Sequence, residues 1–191
     1  MLPIHSFAPL VLPSSRVLVL GSMPGRASLR AGAYYAHPRN AFWSIVAAVG
    51  GAPAGAPYDA RVAAMLSCGI ALWDVASSCV RLGSLDADID DASVVPNDVP
   101  SLLRAHPSIE RIGLNGGKAA SLFRRHIAPR LEPGRLDVRV LPSTSPAHAS
   151  MRPASKEEAW RIALRLESAA GRGARSEPAP RPAPLSGRPA G

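Results

Sequence analysis

Between Gly21 and Trp43 the chain reads Gly21-Ser22-Met23-Pro24-Gly25 and then Tyr34-Tyr35-Ala36-His37-Pro38-Arg39-Asn40-Ala41-Phe42-Trp43. A Gly/Pro loop is thus followed closely by two phenol rings, an imidazole, a guanidinium and a carboxamide. No Asp or Glu precedes Asp59, whereas Arg16, Arg26, Arg30 and Arg39 all do. Arginines, stackable rings and an amide without opposing carboxylates suit a polyanion that carries flat bases. A second stretch has the same bias. From Val138 to Lys156 there is no acid, and the segment 142–153 holds Ser143, Thr144, Ser145, Pro146, His148, Met151 and Arg152. Small hydroxyls and backbone amides grip phosphates.

These groups need elements to hold them. Val17 to Leu20 is a short apolar run bounded by turn residues, which predicts a strand buried on both faces. Gly21, Pro24 and Gly25 end it in an irregular loop, and ligands of open α/β sheets bind at such carboxyl ends. A helix over 40–49 follows, with Phe42, Trp43, Ile45, Val46 and Val49 on its apolar face and Asn40 as N-cap. Further strands are predicted at 70–75, 109–114 and 136–141. Helices are predicted over 59–68, from Asn97 or Asp98 to Arg104, and from Lys118 to Ile127. A last one runs to about Ser168 behind a Ser155/Glu158 capping box, burying Ala159, Trp160, Ala163, Leu164 and Leu166. Strands alternating with helices predict a four-stranded, mainly parallel sheet in a three-layer αβα sandwich. Asn115-Gly116-Gly117-Lys118 lacks the Walker spacing and reads as a close strand-to-helix turn. The acids of 76–96, Asp86, Asp88, Asp90 and Asp91, lack the glycine and terminal glutamate of an EF-hand and read as a solvated loop. Residues 1–15 read as an extended lead-in.

The 191 residues suffice for one domain, expected over 1–170, and the Pro/Gly/Ala/Arg-rich stretch 171–191 reads as a disordered tail. Of the formal charge of +8, +5 belongs to residues 1–170, because the tail carries four arginines and one glutamate. The surplus favours polyanionic partners. Cys68 and Cys79 lack metal spacing and are expected as reduced thiols of a cytoplasmic protein. No histidine pair has ligand spacing, so neither metal nor cofactor is expected. No apolar run approaches 18 residues, and no membrane association is expected.

Three blocks in order carry a resemblance. They are Gly21 to Gly25 with Ser28-Leu29 and Tyr34 to Trp43; Gly69-Ile70-Ala71-Leu72-Trp73-Asp74-Val75 with Cys79 and Gly83-Ser84-Leu85-Asp86; and Leu141-Pro142-Ser143-Thr144-Ser145-Pro146-Ala147. Over roughly residues 14–168 the chain resembles the hypoxanthine-DNA (deoxyinosine) glycosylases of the uracil-DNA glycosylase superfamily. The resemblance implies an enzyme that acts, as a monomer, on double-stranded DNA containing a deaminated base. A base inside a duplex cannot be reached, so the nucleotide must turn into a pocket. That pocket would comprise Gly21, Ser22, Met23, Pro24, Gly25, Tyr35, His37 and Phe42, with Tyr35 stacking on the base. Asn40 would orient the attacking water, since an amide is no base at neutral pH. Arg39 and the loop Ser143, Thr144, Ser145, Pro146, His148, Met151 and Arg152 would contact DNA, with Met151 able to fill the space left by the flipped base. Many superfamily members carry an Asn where this chain has Met23, which shifts water positioning to Asn40 and disfavours uracil. The iron–sulfur cluster of some relatives needs four ligands, which two cysteines cannot supply. Neither lysine falls in the two loops, so no lyase step is expected. A uracil- or thymine-mismatch glycosylase, a non-catalytic DNA-binding relative and a nucleoside hydrolase remain the alternatives.

Overall fold

The computed structural model describes residues 2–50, 55–148 and 151–164. In chain order the elements are β1 (Ile4–His5), β2 (Val17–Gly21), α1 (Arg26–Ala31), α2 (Phe42–Gly50), α3 (Tyr58–Ser67), β3 (Ile70–Asp74), β4 (Ala76–Cys79), β5 (Val95–Pro96), α4 (Val99–Ala105), β6 (Arg111–Asn115), α5 (Gly117–His126), β7 (Asp137–Leu141) and α6 (Pro153–Leu164). Four strands pair in the order β3-β2-β6-β7. Every pairing is parallel.

Side chains alternate across a strand, so β2 feeds two cores. Leu18 and Leu20 pack with Ile112, Leu114 and residues of α4 and α5, among them Val99, Leu103, Leu122 and Phe123. Val17 and Val19 face Phe42, Trp43, Ile45 and Val46 of α2, Met65 of α3 and Trp160 of α6. The predicted αβα sandwich is therefore present. Each large side chain buried in it contributes about 1.5–3 kcal/mol. The chain leaves β2 for β3 on one side and leaves β6 for β7 on the other. The crevice between the carboxyl ends of β2 and β6 is thus the topological switch point where such sheets bind ligands.

Several expectations need correction. The lead-in is not merely extended: Leu10 exchanges both backbone hydrogen bonds with Leu72, and β1 pairs with β4. β1, β4 and β5 form a second, antiparallel sheet, which two-residue strands cannot announce through periodicity. The run 70–75 stops pairing at Asp74, and Asn97 Nδ2 holds the bend by donating to the carbonyls of Asp74 and Ala76 at 2.9 and 3.1 Å. The Ser155/Glu158 box does not form. α6 starts two residues earlier, at Pro153, which fits a first turn because its missing N–H needs no partner there. Glu158 instead pairs with Arg161. The stretch 76–96 is no simple solvated loop, since Asp86 lines the cleft described below and Asp91 pairs with Lys118. Leu166 and the tail 171–191 lie outside the described residues.

Candidate active site

The parallel register brings the last residues of three strands side by side. Gly21 is level with Asp74, Leu20 is level with Leu114, and Asn115 follows. Above them opens a cleft of about 830 Å³. Gly21, Ser22, Met23, Pro24 and Gly25 line it, as do Tyr35, His37, Arg39 and Asn40 and, from the second loop, Ser143, Thr144, Ser145, Pro146 and His148. The two predicted loops therefore face one another across one cavity. Phe42, Met151 and Arg152 do not line it.

Gly21 is required by close approach: a Cβ there would overlap Asp74 Oδ1 and lie 3.1 Å from the Tyr35 hydroxyl. Tyr35 has a left-handed backbone, φ 52°, the one positive φ among described non-glycine residues. A bulky residue holds that conformation only where its surroundings fix it. Here Phe42 stacks on the ring at 4.1 Å between centroids, and Asn115 Nδ2 donates to the hydroxyl at 2.9 Å. Phe42, fully buried, is thus the backing of Tyr35 rather than a wall of the pocket. Burial first, and the nearby Asp74 second, push the Tyr35 phenol up, so it stays neutral.

Asn115, whose sequence context indicates only a close strand-to-helix turn, joins the two loops. Its Oδ1 accepts the Thr144 N–H at 3.0 Å while Nδ2 also donates to Thr144 Oγ1 at 2.9 Å. The Thr144 carbonyl accepts the Ala41 N–H at 3.0 Å. Thr144, 1 % exposed, thus spends its polar groups on clamping the loops together and not on a phosphate. The next residue, Gly116, has φ +92° and would place a Cβ 2.9 Å from Ser143 Cβ, so only glycine lets the loop approach. Lys156, a buried lysine of α6, donates from Nζ to the His148 carbonyl at 3.1 Å, and Trp160 Nε1 to the Pro142 carbonyl at 2.8 Å.

Asn40 does cap α2. Its Oδ1 accepts the Phe42 N–H at 3.0 Å, which fixes the amide and leaves its NH₂ and second lone pair for a cleft ligand. His37 Nδ1 accepts the Arg39 N–H at 3.1 Å, so the neutral ring carries its proton on Nε2. Arg26 and Arg30 of α1, a helix that the Gly/Pro loop concealed, join Arg39 in the lining.

The lining is not free of acids. Asp74 and Asp86 belong to it, and Ser22 Oγ donates to Asp86 Oδ1 at 2.7 Å. Lys118, which lies in neither loop, also lines the cleft from the start of α5, with Nζ held on Asp91 at 2.5 Å. An ion-paired ammonium has no lone pair with which to attack a sugar. Proximity in sequence could reveal none of these groups, because each arrives from a different strand end or turn.

Residues 9–165 match the family model of the uracil DNA glycosylase superfamily. The chain is similar to a hypoxanthine DNA glycosylase of Methanosarcina acetivorans, 32% identical over 153 residues, covering 80% of this chain and 92% of that protein. It is also similar to a hypoxanthine DNA glycosylase of Methanosarcina barkeri, 32% identical over 116 residues, 60% of this chain and 72% of the other. Among solved structures, that of a candidate uracil DNA glycosylase from Methanosarcina acetivorans superposes with a TM-score of 0.69 at 29% identity. That match covers 85% of this chain and 99% of the other.

Proposed function

Since the chain belongs to the uracil DNA glycosylase superfamily, we propose that it is a monofunctional glycosylase that removes deaminated purine, chiefly hypoxanthine, from double-stranded DNA. The observation that carries this reading is the convergence of Asn40, Tyr35 and the 143–148 loop on one cleft, with Arg26, Arg30 and Arg39 in its lining. The guanidinium groups engage phosphates, and the flipped base enters over the strand ends against Tyr35. Positive charge grows on the sugar as the C1′–N bond breaks, and the DNA phosphates help to stabilise it. Asn40, its orientation fixed by the cap, directs water to C1′. Ser143, Ser145 and His148 contact the backbone beside the extruded nucleotide, and Met151 and Arg152, both exposed, extend that surface. Residues 1–170 constitute the catalytic domain, which works as a cytoplasmic monomer.

Duplex oligonucleotides with one deoxyinosine, cleaved with alkali after incubation, test the reading. Strand breaks that require alkali, and no adduct on borohydride trapping, are expected for hydrolysis without a lyase step. Intact strands would contradict the reading, and release of base from free inosine with no action on duplex would identify a nucleoside hydrolase.

A further inference from the structure

One polar group in the cleft has no part in the mechanism above. Asp74 ends β3 at 3 % exposure, and its Oδ2 is buried without a hydrogen-bond partner among the described residues. Its Oδ1 is packed against the Gly21 backbone. Among the described residues no Lys, Arg or His nitrogen lies within ion-pair distance of either oxygen. The groups that face it are Asp86 from the turn after β4, Arg81 from the same segment, and Tyr34 and Tyr35 from the first loop. The Arg81 guanidinium is committed to the Pro24 carbonyl at 2.8 Å. Leaving a buried carboxylate unpaired in this setting is far costlier than leaving a carboxylic acid there.

We propose that Asp74, in the lining of the cleft, works as a neutral acid whose carboxyl O–H donates to the exocyclic carbonyl oxygen of the base bound there. This rests on the function proposed above. Hypoxanthine differs from adenine in bearing a carbonyl acceptor where adenine bears an amino donor. A carboxylate would repel that oxygen and attract the amino group, whereas an O–H donor does the reverse. The same bond assists departure. As C1′–N9 breaks, its electron pair moves onto the purine, and a donor on the carbonyl stabilises the charge that accumulates there. Water supplies the new oxygen at C1′, and the proton that it loses ends on the released base. Burial first, and the Asp86 charge second, push the Asp74 carboxyl up to about 8, against a smaller opposing pull from Arg81.

Two measurements on the full chain test this. A carboxyl titration read by infrared difference between wild type and Asp74→Asn should find the proton retained at neutral pH. The single-turnover rate on deoxyinosine duplex should fall as pH rises through about 8, approaching tenfold per pH unit beyond it. Asp74→Asn, which keeps a donor but cannot ionise, should lose this pH dependence and stay within about tenfold of wild type, while a folded Asp74→Ala should lose about a hundredfold. In an active enzyme, a flat or rising pH profile, an ordinary carboxyl titration, or an Asn variant as slow as the Ala variant would overturn the inference alone. Failure to excise hypoxanthine at any pH would overturn the parent function and this inference with it, a distinct outcome because the wild type itself would then be inactive.

Discussion

At the scale of single residues, Asn40 and Asp74 carry the proposed chemistry. Asn40 has two duties, capping α2 through Oδ1 and, as proposed, holding water. Asn40→Ala should lower the excision rate by about two orders of magnitude, the scale of losing a positioning group, and remove about 1 kcal/mol of stability with the cap. Asn40→Asp keeps the cap. It separates the duties: a folded Ala variant of normal single-turnover rate would reduce Asn40 to a cap. Asp74 makes a prediction about stability. Its folded carboxyl binds the proton more tightly than the unfolded chain does, so stability drains away as pH rises from about 4 through about 8. Asp74→Asn removes that loss. Its denaturation midpoint, compared with wild type, should gain more at about pH 9 than at about pH 5, and an equal gain at both would show that the carboxyl ionises normally.

Among the elements, the central strands and most helices were legible because each is an apolar run or stripe bounded by turn residues. Val17 to Leu20 is the clearest, buried throughout. What remained hidden is of two kinds. β1 and β5 are two residues long, so no period can show them. Asp74, Asp86, Asn115 and Lys118 lie far from the first loop in sequence, and only the parallel register and the turns beyond it bring them there. The clamp between the loops is likewise tertiary: a lone Asn before two glycines does not announce that it will hold Thr144 by two hydrogen bonds. α6 supports the second loop through Lys156, and Lys156→Met should free the His148 carbonyl while keeping the stem packed. Duplex affinity should then weaken by about severalfold while the single-turnover rate at saturating enzyme holds, if the loop, as proposed, grips DNA and does not hold the water. Loss of rate with unchanged affinity would place the loop in the chemistry instead.

For the whole molecule, an excess of +5 over residues 1–170 and a cleft lined by Arg26, Arg30 and Arg39 fit a phosphate backbone. Asp74 and Asp86 line the same cleft from the end of β3 and the turn after β4, the side that takes the base under the proposed function. Duplex affinity should fall steeply with salt, with a log–log slope of about 0.9 for each phosphate engaged, and salt-insensitive binding would contradict backbone recognition. The central claim is that this cleft is built for a deaminated purine. Met23 lines it with a thioether, which orients no water, so a pyrimidine seated near the first loop lacks an aligned nucleophile. In the proposed reading a purine spans from Tyr35 to water directed by Asn40, and inosine pairs weakly enough to flip at lower cost. The direct test compares single-turnover rates on matched duplexes that carry inosine or uracil opposite the same base. Far faster release of hypoxanthine is expected, and a uracil rate equal to or above it would contradict the division of labour between Met23 and Asn40.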